Sequence, residues 1–141
     1  MEIPSIFEKI VGFEPIEFYS SIYDWVIAVA GSEEAILKTQ PDFELLKKNG
    51  LGHLMVTAKS NSDKYDFVVR CFAPALGVNE DPVTASAHCA LTVLKAQKLG
   101  KSELISFQLS RRTGILKVRL VDDLVEIRGK AVTIFKARLE I

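Results

Sequence analysis

The stretch that most constrains the fold of this chain is a long helix, predicted from about Ala85 to Leu99 and ended by Gly100. Apolar residues cover most of its circumference, and many of them are small. They are Ala85, Ala87, Cys89, Ala90, Leu91, Val93, Leu94 and Ala96. A helix that is apolar nearly all round must be buried nearly all round. We therefore expect a strongly curved sheet wrapped around one central helix.

The residues before this helix predict strands mixed with short helices. Residues 1–22 are expected to be irregular or strand-like at best. Residues 24–31, DWVIAVAG, form a continuous apolar run that is typical of a buried strand. Ser32 is expected to cap one short helix. The pair Pro41-Asp42 is expected to open a second, which Asn49-Gly50 closes.

Strands predominate in the rest of the chain. Residues 51–58 and 65–72 flank a polar turn and predict a hairpin. After the long helix, apolar and polar residues alternate, so each strand should have one buried face, as in antiparallel sheets. The apolar positions are Ile105, Phe107, Leu109, Leu116, Val118, Leu120, Val125 and Ile127. Asp122-Asp123 is expected to be a tight turn, and residues 131–141, AVTIFKARLEI, a central strand. The pattern predicts an α+β fold with a mixed, mostly antiparallel sheet.

Composition narrows the class of protein. The chain has 141 residues, 48% of them apolar and 26% charged, which suits one soluble globular domain. Its formal net charge is zero, which argues against nucleic-acid binding. It has no apolar run long enough to span a membrane and no secretory signal at its start. Cys71 and Cys89 lack metal-ligand spacing, so we expect free thiols, a cytoplasmic protein and no metal.

The segment EDPVTASAHCAL, residues 80–91, carries the chemistry. Pro82 pushes Asp81 out of helical geometry, so the helix begins after Pro82 with Thr84 or Ser86 as its cap. The first amides of the helix, from Ala85 to His88, are left without partners. These amides and the helix dipole form an anion site, where the carboxylate of a small substrate would fit.

This arrangement indicates acid/base chemistry. Removing a proton next to a carboxylate or carbonyl requires a base and a stabiliser for the enolate-like charge. The helix N-terminus supplies the stabilisation, and Asp81 is the candidate base or acid. Returning the proton to another atom, or to another face, is an isomerisation or epimerisation that needs no metal or cofactor.

Structural interpretations stand beside the functional ones. Asp81 before a proline is also typical of a turn, and Thr84 and Ser86 are also typical of caps only. His88 and Cys89 suit packing in the core, and His53 has no evident partner. The pair Arg111-Arg112 suits either a solvated turn or contact with an acidic substrate.

The run RCFAPALGVNEDPVTASAHCAL, residues 70–91, closely resembles the signature of the phenazine-biosynthesis PhzF-like family, R-x-F-x-P, a glycine, then E-D-P-V-T-G-S-A-H. The matching residues are Arg70, Phe72, Pro74, Gly77, Glu80, Asp81, Pro82, Val83, Thr84, Ser86, Ala87 and His88.

The resemblance implies the diaminopimelate epimerase-like fold, in which each of two domains wraps a sheet around a central helix. The active site lies between the domains and uses proton transfer without a cofactor. Asp81 and Ser86 are then the predicted catalytic residues. The predicted substrate-binding residues are Thr84, Ala85, Ala87 and His88.

Two departures from the family pattern matter. Ala85 stands where the family has glycine, and a positive φ there would cost about 1 kcal/mol. Residues 1–141 also resemble only the C-terminal domain. The N-terminal half of the family carries the principal catalytic glutamate and a G-H-A-T motif, and neither is found here.

Three interpretations follow for a half-length chain. A homodimer could mimic the two-domain enzyme, with Asp81 from each copy in one cleft. A separate N-terminal half could complete the site. The chain could also be a non-catalytic binding or remnant domain. A hot-dog thioesterase also wraps a sheet around one helix, but its helix precedes most of the strands.

Overall fold

The computed structural model describes residues 2–21 and 24–140. Its helices are α1 (Phe7–Val11), α2 (Glu33–Lys38), α3 (Phe43–Lys48) and α4 (Ala85–Leu99), with a 3-10 turn at Pro74–Leu76. Its strands are β1 (Glu17–Ser20), β2 (Val26–Val29), β3 (Leu54–Lys59), β4 (Phe67–Ala73), β5 (Val78–Asp81), β6 (Glu103–Gln108), β7 (Gly114–Val121) and β8 (Leu124–Arg128). Within the described ranges, no helix is both long enough and apolar enough to cross a membrane.

All eight strands join one sheet in the order β1-β2-β3-β4-β6-β7-β8, and β5 pairs with β4 off this path. The pairs β2–β3 and β4–β6 are parallel, and the other pairs are antiparallel. The predicted class, an α+β fold with a mixed and mostly antiparallel sheet, is confirmed.

The sheet separates two hydrophobic cores. On one face, α1, α2 and α3 pack against the alternate side chains of β2, β3 and β4. On the other face, α4 packs against side chains of strands from β2 to β7. One helix thus packs against strands from most of the sheet.

The long helix α4 begins and ends where the sequence predicts, and Gly100 ends it with φ 63°. Leu91 and Ala87 are buried, but Val93 is 39% exposed. The expectation of burial all round was wrong for this face, because β1 and β8 are the two ends of the sheet and do not close over it. The open groove between them, about 690 Å³, is lined in part by Tyr19, Cys89 and Val93.

Several local predictions before the long helix are confirmed. Residues 24–31 contain the fully buried strand β2. Ser32 Oγ accepts a hydrogen bond from the Ala35 amide at 3.3 Å and so caps α2. Asp42 caps α3 in the same way through the Leu45 amide, at 3.0 Å. The predicted hairpin is the antiparallel pair β3–β4.

The first helix was missed. The expectation for residues 1–22 was irregular structure or strand, and α1 occupies Phe7–Val11 within them. Phe7, Ile10 and Val11 are buried, and Gly12 ends the helix at φ 89°. Five residues are too few to show helical periodicity, so this helix depends on tertiary burial. Residues 1 and 22 lie outside the described ranges.

The strand β6 buries the opposite face from the one predicted. Its polar residues Ser106 and Gln108 are buried, followed by buried Ser110, whereas Ile105 and Phe107 are only partly buried. Polar side chains can be buried when they are hydrogen-bonded, and these face the start of α4. The alternation predicted after β6 holds in β7, where Leu116 and Val118 are buried.

The predicted central strand at residues 131–141 was wrong. Residues 131–140, here called the apolar tail, form no strand with the described residues and lie exposed. Val132, Ile134, Phe135 and Leu139 are 79–90% exposed. Residue 141 is outside the described ranges. Among the described residues, no strand pairs with the tail.

Candidate active site

The strand β5 brings Asp81 to the start of α4. It pairs with the last part of β4, where Asp81 is opposite Cys71. The strand β6 pairs with the first part of β4, where Gln108 is opposite Val69. Because β5 and β6 follow each other along one side of β4, Asp81 and Gln108 meet at the N-terminal end of α4.

Arg70 and Glu80, which belong to the family signature, fix the position of the strand that carries Asp81. Arg70 donates through Nε and Nη2 to both carboxylate oxygens of Glu80, at 2.7 and 2.9 Å. Its Nη1 also donates to the carbonyls of Ile36 and Thr39, at 3.1 and 2.6 Å. Bidentate pairs of this kind fix geometry as well as charge. Arg70 and Glu80 therefore tie β5 and the end of α2 to β4, and Asp81 follows directly.

A hydrogen-bonded network holds Asp81. Thr84 Oγ1 donates to Asp81 Oδ2 at 2.8 Å. Gln108 Oε1 accepts from the Thr84 amide at 2.9 Å, and Gln108 Nε2 donates to the Asp81 carbonyl at 2.6 Å. Ser110 Oγ donates to the same carbonyl at 3.3 Å. The carboxylate of Asp81 is partly exposed, so the network orients it without enclosing it.

The N-terminal end of α4 is open beside this carboxylate. Thr84 occupies the N-cap position, but its side chain makes no capping hydrogen bond, because its hydroxyl binds Asp81. Ala85 and Ser86 in the first turn are exposed. Unpaired amides and the helix dipole attract anions at such an end. The predicted catalytic pair, Asp81 and Ser86, therefore lies at one accessible place.

Ala85 is accommodated without backbone strain. Among the described residues other than glycine, only Asp24 and Asp122 have a positive φ. Ala85 is the first residue of α4 and has no need of the left-handed conformation. The departure from the family glycine therefore adds a methyl group at an exposed position and does not strain the helix.

His88 is enclosed one turn further along. Its Nδ1 lies 2.6 Å from the Thr84 carbonyl, which can only accept, so Nδ1 carries the proton. Burial lowers the pKa of His88, and the neutral ring accepts from Ser106 Oγ through Nε2, at 2.8 Å. The side chains of His88 and Ala87 are both fully buried. Their predicted contact with a substrate is therefore possible only through the backbone.

The two cysteines are free thiols, as predicted. Cys71 is buried, and burial raises the pKa of its thiol to about 12. It is therefore protonated at neutral pH and is no nucleophile. Cys89 is partly exposed and lines the open groove on the outer face of α4. Neither cysteine therefore replaces Asp81 as the candidate acid or base.

The surroundings of the site combine charge with exposed apolar side chains. Arg111 and Arg112 are exposed and share a depression of about 470 Å³ with Glu80 and Pro82. Four exposed apolar residues, here called the apolar rim, lie on the segments around the start of α4. They are Leu76, Val78, Val83 and Ile115. Exposed apolar groups beside a polar site are typical of a surface that another domain covers.

Sequence reasoning missed Gln108, Ser110 and the close contact at Gly114. The signal for the first two was their alternation with Ser106 along one strand, which had been interpreted as a solvated face. Gly114 permits a close approach, because a Cβ there would lie 2.4 Å from Val83 Cγ2. Glycine at this position therefore lets the turn before α4 pack against β7.

The fold and the site together define an α+β protein in which a mixed, mostly antiparallel sheet holds an acidic side chain at the open end of a long, partly buried helix. The chain belongs to the phenazine biosynthesis-like protein family, PhzC-PhzF, whose sequence profile matches residues 5–137.

Known relatives carry isomerase names. An uncharacterized isomerase of Halalkalibacterium halodurans is 42% identical over 129 residues, which cover 92% of this chain and 48% of the relative. An uncharacterized isomerase of Pseudomonas aeruginosa is 40% identical over 134 residues, which cover 95% of this chain and 50% of the relative. The chain thus spans about half the length of these relatives.

Two solved structures also match this chain over about half of their own length. A crystal structure from Clostridium difficile, described as a PhzC/PhzF phenazine biosynthesis protein, superposes with a TM-score of 0.85 at 34% identity. The superposition covers all of this chain and 53% of the Clostridium difficile chain. A PhzF-family protein of Enterococcus faecalis gives a TM-score of 0.81 at 31% identity, over 94% and 53% of the two chains.

Proposed function

We propose that residues 1–141 form a C-terminal-type domain of a cofactor-independent isomerase that moves a proton on a small carboxylate-bearing substrate. The observation that carries this proposal is the Asp81 carboxylate, held by Thr84 Oγ1 at 2.8 Å beside the open end of α4. The isomerase names of the relatives support the reaction class. The free thiols suit a cytoplasmic protein.

The proposed reaction uses the open end of α4 and then the Asp81 carboxylate. The substrate carboxylate binds at the first amides of α4, where the Ser86 hydroxyl can donate a further hydrogen bond. Asp81 takes a proton from the neighbouring carbon, and the electron pair moves into the carboxylate or carbonyl as an enolate. The helix end stabilises that charge. Asp81 then returns the proton to another atom on the same face, which is an isomerisation, or a protonated carboxyl of the second domain gives a proton to the opposite face while Asp81 keeps the first, which is an epimerisation.

The proposed site is completed by a second domain. The chain spans about half the length of these relatives, and Leu76 and Val83 of the apolar rim are exposed. The family resemblance suggests that the N-terminal half, which the 141 residues do not match, supplies the principal glutamate. A homodimer is the other arrangement, in which the Asp81 carboxylate of a second copy faces the first across a two-fold axis.

A second candidate is a binding or remnant domain without catalysis. The half-length match is the observation that favours it, because residues 1–141 do not match the half of the relatives that the resemblance expects to carry the principal glutamate. Both candidates place an anion at the same helix end. They differ in whether proton transfer follows binding, so a measurement of transfer distinguishes them.

The test is deuterium incorporation into α-amino acids and dihydroaromatic acids in D₂O. The protein is a fusion in which residues 1–141 replace the matched half of the Halalkalibacterium halodurans relative. Asp81→Asn keeps the size of the side chain and should slow incorporation roughly 100-fold or more. The control Asp63→Asn, at an exposed turn, should leave the rate unchanged. Equal rates in the fusion and its Asp81→Asn variant would exclude Asp81 as the acid or base.

Incorporation into none of the candidate acids by a folded fusion would favour the non-catalytic domain. Light scattering of the chain alone separates the two modes of completion. A dimer that incorporates deuterium by itself would support the two-fold arrangement. A monomer that gains activity only in the fusion would support the separate half.

A further inference from the structure

An arginine pair, Arg111-Arg112, lies beside the turn of residues 81–83 that leads into α4. Ser110 Oγ lies within hydrogen-bonding distance, 3.3 Å, of two carbonyl oxygens of that turn. At the other end of the segment, a Cβ on Gly114 would lie 2.4 Å from Val83 Cγ2. The segment that carries the arginines is therefore held against the turn at both of its ends.

The positive charge of this pair is not neutralised within the part of the chain that the structure describes. Arg111 and Arg112 are exposed, and neither forms an ion pair with a described residue. Glu80 lines the same depression, but Arg70 already binds both of its carboxylate oxygens, at 2.7 and 2.9 Å. Two guanidinium groups thus remain available to an anion.

The depression beside the arginines has the size of a ligand site. Its volume is about 470 Å³, and it reaches Pro82, which only Val83 and Thr84 separate from the first residue of α4. Small-molecule sites commonly measure roughly 300–1,000 Å³. A molecule bound at the start of α4 therefore has a neighbouring place for a second group.

A domain that covers this end of the sheet would remove water from the arginines as well. Val83 and Ile115 of the apolar rim lie on the two segments that meet at Gly114, and both are exposed. A charged group that loses its water needs an opposite charge and hydrogen bonds. The planar guanidinium group matches a carboxylate, which it can bind through two parallel hydrogen bonds.

We propose that Arg111 and Arg112 bind a second carboxylate of the substrate, so that the substrate class is a dicarboxylic acid. This inference rests on the proposed function, which places the first carboxylate at the start of α4. Asp81 then acts on the carbon beside the first carboxylate, while the arginines hold the far one. The arginines determine specificity and take no part in the proton transfer.

Binding measured by calorimetry tests the inference. The protein is the fusion of residues 1–141 with the unmatched half of the Halalkalibacterium halodurans relative. The probes are both enantiomers of glutamate, 2-aminoadipate and 2-aminopimelate, each compared with the amide of its far carboxyl group. The two members of a pair have the same length and differ in the charge at the far end. At least one diacid is expected to bind roughly tenfold or more tightly than its amide.

The variant with both Arg111→Gln and Arg112→Gln should lose this preference and should bind the amides as before. Arg119→Gln is the control, because Arg119 is an exposed arginine of β7 that lies 3.5 Å from Glu103. It should keep the preference. Equal affinity within every pair, or no binding of any diacid, would overturn the inference.

Urea unfolding of the same variants distinguishes a different partner for the arginines. Both arginines are exposed, so the double variant should unfold at the same urea concentration as its parent. If a carboxylate of the second domain paired with them, the double variant would unfold at lower urea and keep any preference for diacids. That result would also overturn the inference.

A fusion that fails to fold leaves a measurement on the chain alone. The Nε–H signals of Arg111 and Arg112 in the NMR spectrum are followed during titration with 2-aminoadipate and with its amide. The diacid is expected to shift these signals and the amide to leave them in place. Equal shifts with the two probes, or no shift with either, would contradict the inference.

Deuterium incorporation separates this inference from the proposed function. A preference for diacids that depends on the arginines, in a fusion that incorporates no deuterium, would retain the arginine site and reject the isomerase. An active fusion without that preference would do the reverse.

Discussion

Gln108 and Thr84 are joined by two hydrogen bonds that run in opposite directions. Gln108 Oε1 accepts from the Thr84 amide at 2.9 Å, and Gln108 Nε2 donates to Thr84 Oγ1 at 3.1 Å. Thr84 in turn donates to Asp81. A buried amide on β6 thus sets the direction of a carboxylate on β5, and it does so through Thr84, the N-cap residue of α4.

The first prediction concerns this amide. Gln108→Leu should lower the free energy of unfolding by about 1–3 kcal/mol, because the Thr84 amide and the Asp81 carbonyl lose buried partners. Gln97→Leu is the matched control, since Gln97 lies on the exposed face of α4 and should change stability by less than about 0.5 kcal/mol. Urea unfolding measures both. Equal stability of the two variants would mean that Gln108 does not hold the turn.

The second prediction concerns the close approach at Gly114. Gly114→Ala should lower the free energy of unfolding by about 1–3 kcal/mol, because its Cβ would meet Val83 Cγ2 at 2.4 Å. Adding Val83→Ala removes that atom and should recover most of the loss. Gly129→Ala is the control, because its nearest neighbour, Leu116 Cδ2, would be at an ordinary 3.5 Å. Strictly additive losses in the double variant would exclude the steric explanation.

The third prediction concerns the buried lysine of α4. Lys95 is 6% exposed, with Nζ 5.5 Å from the centre of the Phe67 ring, and burial lowers its pKa to about 8. Nearby Glu17 opposes this shift. The folded-state pKa is therefore below that of an unfolded lysine, 10.5. The unfolded chain binds more protons between these values, so the stability contributed by this site rises with pH from about 8 to 10.5.

The expected rise is up to about 3 kcal/mol. Lys95→Met should abolish it and should make the protein more stable than the wild type at pH 7. Lys98→Met is the control, since Lys98 is exposed and the hydrogen bond to Glu17 raises its pKa. Urea unfolding at several pH values, compared between these variants, isolates the contribution of Lys95. A Lys95→Met protein that keeps the same pH dependence as the wild type would contradict this explanation.

Sequence alone predicted the parts of the fold whose signals are local. The helix α4 is 15 residues long and ends at a glycine in the left-handed conformation, so its bounds could be read from the pattern. Ser32 and Asp42 cap α2 and α3 as expected, because a side-chain cap acts within one turn. The helix α1 has only five residues, and its three buried side chains depend on distant parts of the chain.

The wrong predictions share one cause. A sequence pattern shows that a side chain needs a packing or hydrogen-bonding partner, but it does not show where in the structure that partner lies. The apolar tail was predicted to be a central strand of this sheet, and it lies exposed and pairs with none of the described strands. Ser106 and Gln108 were assigned to solvent because they are polar, and they are buried against the start of α4. Asp81 was predicted from its place before the helix and Ser86 from the family resemblance, whereas the hydrogen bonds that orient Asp81 were not predicted.

The measurement that tests the central claim most directly compares deuterium incorporation by the monomeric chain, by the fusion with the unmatched half, and by the fusion carrying Asp81→Asn. The central claim is that Asp81 and the open end of α4 make half of an acid/base site. We predict that the fusion incorporates deuterium at least about 100-fold faster than either of the other two proteins. Equal incorporation by the monomer, or by the Asp81→Asn fusion, would contradict it.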